Sequence, residues 1–156
     1  MESFEAKQSP TWRKFFTCAI PIMQRHGEEG RQAVCDALAA WGAERGSLLA
    51  KRHVEKGIKA SLINFVRAHD LPARLIWPVR EVEVTTTKVI VEIDETPQDE
   101  AFEDSKHSEL GSLWYQHSYP AMAAAYLPGA TAQWTRLRAR GDETNRLELH
   151  CGEMEK

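Results

Sequence analysis

The stretch Val82-Glu83-Val84-Thr85-Thr86-Thr87-Lys88-Val89-Ile90-Val91-Glu92-Ile93-Asp94 decides the fold class. Val82 and Val84 alternate with charged residues, and Val89, Val91 and Ile93 fall on one side of an extended chain. Two strands joined through Thr85-Thr86-Thr87 as a β-hairpin are the simplest reading. The period of two begins near Leu75.

Upstream the period is helical. Ser9-Pro10 offers an N-cap followed by the residue best suited to the first helical position. Trp12, Phe15, Phe16, Ala19, Ile20 and Met23 then recur at three-to-four spacing. Pro21 is expected to kink this helix and Gly27 to end it. A second helix from Glu28 to about Ala43 carries Val34, Ala37, Leu38 and Trp41, with Gly42 and Gly46 bracketing a tight exit. A short third helix begins at Leu48. Ile58, Leu62, Phe65, Val66 and His69 mark a fourth, which Pro72 terminates.

Downstream, an Ala-rich helix is expected over Ser105–Tyr126 and stops at Pro128-Gly129. Strands over Thr131–Arg140 and Arg146–Cys151 follow, joined by Gly141-Asp142-Glu143-Thr144. Helices first, then hairpin, helix and hairpin, is an α+β order with an antiparallel sheet. The expectation is one α+β domain over residues 1–156: N-terminal helices (9–72) packed with about four antiparallel strands and one long helix across them (73–151).

Composition bounds the function. The 156 residues are 42% hydrophobic and 28% charged, ordinary globular usage. A net charge of −3 lacks the basic excess that neutralises phosphates, so nucleic acid is not an expected partner. No apolar run approaches the ~20 residues that span a bilayer, and Met1-Glu2-Ser3-Phe4-Glu5 has no signal-peptide order, so no membrane role is expected. Cys18, Cys35 and Cys151 are odd in number and far apart, which predicts free, structural thiols and a cytoplasmic setting. Five tryptophans fit a homodimer, because apolar patches often mark interfaces. No phosphate loop, nucleophile elbow, His-Glu-x-x-His or Cys-x-x-Cys occurs, so neither a cofactor nor a metal is expected.

Three groups are candidates for chemistry. Glu109, Trp114, Tyr115, Gln116, His117, Ser118 and Tyr119 cluster in the long helix, where His117 reads either as a general base or as a satisfied interface histidine. Arg136, Arg138 and Arg140 share a strand face at a spacing of two, suited to holding a carboxylate or to forming a solvated sheet face. Cys151 shares a face with Leu147 and Leu149 and reads as a small core residue.

Several motifs together carry a resemblance. They are Leu38-Ala39-Ala40-Trp41-Gly42-Ala43-Glu44-Arg45-Gly46-Ser47-Leu48-Leu49-Ala50, Glu109-Leu110-Gly111-Ser112-Leu113-Trp114-Tyr115, Tyr126-Leu127-Pro128, Arg136 and Gly141-Asp142. In order and approximate spacing, over about residues 28–150, the chain resembles the L-2-amino-thiazoline-4-carboxylic acid hydrolase-like family. The resemblance implies a small α+β protein that opens a ring at a C–N bond. Where that family commonly shows cysteines, this chain holds Thr96, Tyr115 or Gln116, and Thr144 or Asn145.

Two functions follow. The first is a hydrolase acting on a small carboxylate-bearing heterocycle or cyclic amidine. In it His117 activates water, Asp142 orients a donor, and Arg136 binds the carboxylate. Trp114 and Tyr115 stack on the ring, with Thr96 and Asn145 also contacting substrate. The alternative is a non-catalytic small-molecule-binding or accessory domain, or a cyclase or isomerase reusing the same pocket.

Overall fold

A computed structural model describes residues 4–68, 79–94, 96, 99 and 108–152, with side chains over 18–67, 79–94, 96, 99 and 109–152. The expected helix terminator Pro72 and the change of period at Leu75 lie outside these residues. His69 and the helix start near Ser105 do too.

The first element, α1, runs over Phe4–Glu55 and is interrupted at Gly27, whose φ of 55° and ψ of −131° leave the helical region. The Gly27 break matches the sequence expectation, but helix begins ahead of Ser9. The expected exit at Gly42 and Gly46 is corrected: helix continues through both to Glu55. Each glycine costs a helix interior about 1 kcal/mol. Here they let α1 lie against the backbone of α3 (Ser108–Tyr126) around Ser118 and Met122. The helical signal near Leu48 is therefore the same helix, and the fourth expected helix is α2, Leu62–Ala68.

Among the described residues four strands form one antiparallel sheet in the order β1-β2-β4-β3. They are β1 (Val79–Val84), β2 (Lys88–Ile93), β3 (Ala130–Arg136) and β4 (Asn145–Cys151). The α+β class and both hairpins agree with the alternating pattern. One face carries Val89, Val91, Leu147, Leu149 and Trp134 into the core, where they meet Leu113, Tyr115 and Met122 of α3. Val34, Cys35, Leu38 and Leu49 of α1 close the other side of α3. The order is thus helix, helix, sheet.

The third strand is shorter than its pattern suggested. A bulge between Trp134 and Arg136 places Arg136 opposite Arg146, and Arg138–Arg140 forms a 3₁₀ turn. The expected three-arginine strand face is corrected accordingly. Bulges add a residue and re-aim the side chains after it. All three cysteines are free, Cys35 buried and Cys18 exposed.

Candidate functional site

Where β2 ends, β4 begins and α3 passes over them, four polar side chains meet inside the core: Thr96, Asp99, Tyr115 and Asn145. Asp99 sits at the centre, 1% exposed. Its Oδ2 accepts from the Thr96 amide at 2.9 Å, the Thr96 hydroxyl at 3.0 Å and Asn145 Nδ2 at 2.7 Å. Its Oδ1 lies 2.9 Å from the Tyr115 hydroxyl, which is 2.6 Å from Thr96 Oγ1. The Asp99 amide donates back to Thr96 Oγ1 at 3.2 Å, completing the reciprocal pair of a capping box. Asn145 Oδ1 accepts from the Arg138 amide, tying the 3₁₀ turn to the same cluster.

Burial is the largest influence on Asp99 and raises its pKa, against the hydrogen bonds from Tyr115, Asn145 and Thr96. Burial likewise lifts the Tyr115 phenol well above its usual range. The three positions Thr96, Tyr115 and Asn145, singled out separately in the sequence, therefore share one carboxyl group. Asp99 itself was missed, although Thr96-Pro97-Gln98-Asp99 spells a capping-box pattern.

The opposite sheet face carries a second cluster. Register aligns Arg80, Glu92, Arg146 and Arg136 in one row across all four strands. Glu92, buried despite its charge, pairs with Arg80, with Arg146 at 2.8 Å and with Arg136 at 3.7 Å. Beside it is a cleft of about 330 Å³ lined by Arg80, Glu92, Arg136, Asp142, Glu143 and Thr144. Asp142 Oδ2 accepts from the Leu137 amide at 2.7 Å, which holds the turn.

The remaining candidates are dispersed. Trp114 packs toward α1, its ring 4.6 Å from that of Trp41, whereas Tyr115 meets Trp134 of the sheet at 4.9 Å. They occupy different sides of α3. His117 is half-buried and lines neither the Arg136 cleft nor the cleft of about 290 Å³ at the Gly27 break. A histidine the sequence reading passed over, His53, is buried with Nδ1 2.7 Å from the Tyr126 hydroxyl, and burial lowers its pKa. Among the described residues no group of three His, Cys, Asp or Glu is placed to hold a metal ion. No helix among them is long and apolar enough to cross a membrane.

No protein-family model matches the chain, and no curated protein matches it. Among solved structures it is similar to a trafficking protein particle complex subunit 3 from Naegleria fowleri, covalently bound to palmitic acid in its crystal structure. The match has a TM-score of 0.61 at 10% identity and covers 97% of each chain. At that identity the likeness is one of fold. It corrects the hydrolase expectation, because the shared fold is that of a trafficking-complex subunit and nothing supports the amino-thiazoline hydrolase family specifically. Thr96, Tyr115 and Asn145 are bonded to Asp99 inside the core.

Proposed function

We propose that this chain is a non-catalytic accessory subunit that acts by assembling with other proteins. The observation that carries the reading is the fold match along nearly the whole of both chains to a subunit of a multi-protein complex. The surface supports it. Between the exposed charges Glu29 and Lys51, the side of α1 turned away from α3 exposes Ala33, Ala37, Ala40, Ser47 and Leu48, with Glu44 among them and Asp36 at the edge. These positions recur at three-to-four spacing and form a smooth strip on which another helix can pack closely. Apart from Glu44, the long charged side chains of this face, which would resist desolvation, stand at its two ends.

Covalent acylation is not expected at Cys35. Burial pushes the Cys35 thiol up and keeps it in its less nucleophilic form. A cytoplasmic location suits three free thiols.

The test is native mass spectrometry of the tagged chain purified gently from its own cells at its natural level. Recovery in stoichiometric complexes with one or a few defined partner chains is expected. Recovery only as a free monomer overturns the reading. A homodimer without other partners would replace it with the self-association that the aromatic content suggested.

A further inference from the structure

Three oxygen–oxygen contacts close a ring inside the core: Tyr115 Oη to Asp99 Oδ1, Asp99 Oδ2 to Thr96 Oγ1, and Thr96 Oγ1 to Tyr115 Oη. All three are at hydrogen-bond distance, between 2.6 and 3.0 Å. Each such contact needs one proton between its oxygens. The phenol supplies one and the threonine hydroxyl another. With an ionised carboxylate the ring is one proton short.

Each of the three ways of sharing two protons leaves a bare edge: if Tyr115 donates to Thr96 and Thr96 to Asp99, it is the Tyr115–Asp99 contact. If both hydroxyls donate to Asp99, the 2.6 Å Thr96–Tyr115 contact brings two lone pairs together. If Thr96 donates to Tyr115 and Tyr115 to Asp99, the Thr96–Asp99 contact is bare. A third proton on Oδ1 removes the conflict. Asp99 then donates to Tyr115, Tyr115 to Thr96, and Thr96 to Oδ2. Thr96 Oγ1 still accepts from the Asp99 amide, and Oδ2 still accepts from the Thr96 amide and Asn145.

We propose that Asp99 is carried as a neutral carboxylic acid whose proton closes this ring. Its loss as pH rises opens one edge and loosens the tie between α3 and the chain that follows β2. The surroundings agree. Among the described residues, those bonded to or near the carboxyl are Tyr115 of α3, with Tyr119 beyond it, Thr96 of its own segment and Asn145 of β4. None of these four is a cation. Arg138, on the adjoining turn, sends Nη1 to the Glu143 carbonyl and carries its Nε buried. Burial, the largest influence on the group, favours the neutral form.

The decisive measurement is the ¹³C shift of the Asp99 side-chain carboxyl in the native chain across pH, assigned through its own Cβ correlation. It is expected to keep the neutral-acid position well above the ordinary aspartate value of about 3.9. Denaturant titrations of the native chain and Asp99→Asn supply the second arm. The amide reproduces the protonated group, since its Nδ2 can donate where Oδ1–H does. The folded state holds a proton that the unfolded chain releases, so stability falls as pH rises between the two pKa values. Relative to Asp99→Asn, the folding constant of the native chain should drop up to about ten-fold per pH unit in that window. An ionised carboxyl resonance near neutral pH overturns the proposal, as do parallel stability curves for the two proteins. The carboxyl shift decides the matter even if the variant fails to fold.

Discussion

A Cβ placed on Gly42 would lie 2.1 Å from the carbonyl oxygen of Ser118, closer than any side chain tolerates. Gly46 stands in the same relation to the carbonyl of Met122, one helical turn along both helices. The obstacle is backbone in each case, so no rotamer change relieves it. Gly42→Ala should therefore push α1 off α3, with the cost of over-packing, about 1–3 kcal/mol or more. Helix propensity alone would make the same change stabilising by about 1 kcal/mol. The two effects have opposite signs, and urea denaturation decides between them. A more stable Gly42→Ala protein would show that the close approach of the helices is not needed.

Acid should weaken the fold through His53. Its ring is buried against Tyr126, and burial, the first cause, lowers its pKa, with Lys56 adding to the effect. The unfolded chain then binds a proton that the folded chain refuses. The contribution is fully present above the ordinary histidine value of about 6.5 and is lost as pH falls below it. His53→Gln keeps a hydrogen-bonding group without a titration. Stability curves of the two proteins are expected to run together above that value and diverge below it. Curves that stay parallel into the acid range would remove His53 from the account.

Much of this architecture is legible in the sequence because half-buried strands must alternate, and Lys88 to Ile93 does. The same rule failed at Arg136. A bulge after Trp134 changes the face, and nothing in the local pattern announces it. Gly42 and Gly46 misled for a related reason: glycine usually ends a helix, and only the partner helix reveals that it is needed for closeness. In the sequence Thr96 and Asn145 stand out for what they replace in a family pattern, and Tyr115 also as part of the aromatic cluster of the long helix. Their convergence on Asp99 depends on contacts across 46 residues of chain, which no short-range spacing encodes.

The row on the outer sheet face makes a graded prediction. Arg146 touches Glu92 at 2.8 Å and Glu148 at 3.3 Å, and its side chain is only 21% exposed. Arg136 stands 3.7 Å from Glu92 with 56% of its side chain in solvent. Water screens the second pair far more than the first. Arg146→Met should lower the melting temperature clearly, because it strips a buried carboxylate of its closest well-formed partner on β4. Arg136→Met should change it little. Equal losses in a calorimetric scan would mean that Glu92 draws on both arginines alike.

The strip on α1 offers the sharpest separation of assembly from folding. Ala37 and Leu48 are exposed and face away from α3, so their substitution touches no buried contact within the chain. Ala37→Arg combined with Leu48→Glu should leave thermal stability nearly unchanged, within about 0.5 kcal/mol for surface positions away from special features. In a complex that buries this strip, the same pair places two long charged groups in a close helix contact and desolvates them without partners. Native mass spectrometry is then expected to show the variant as free chain where the unaltered protein is in complex. Circular dichroism of the free variant should match the unaltered chain, which separates lost assembly from lost folding. Undiminished assembly by the doubly charged variant would move the interface off α1 and leave the two edge strands, β1 and β3, as the surfaces to test next.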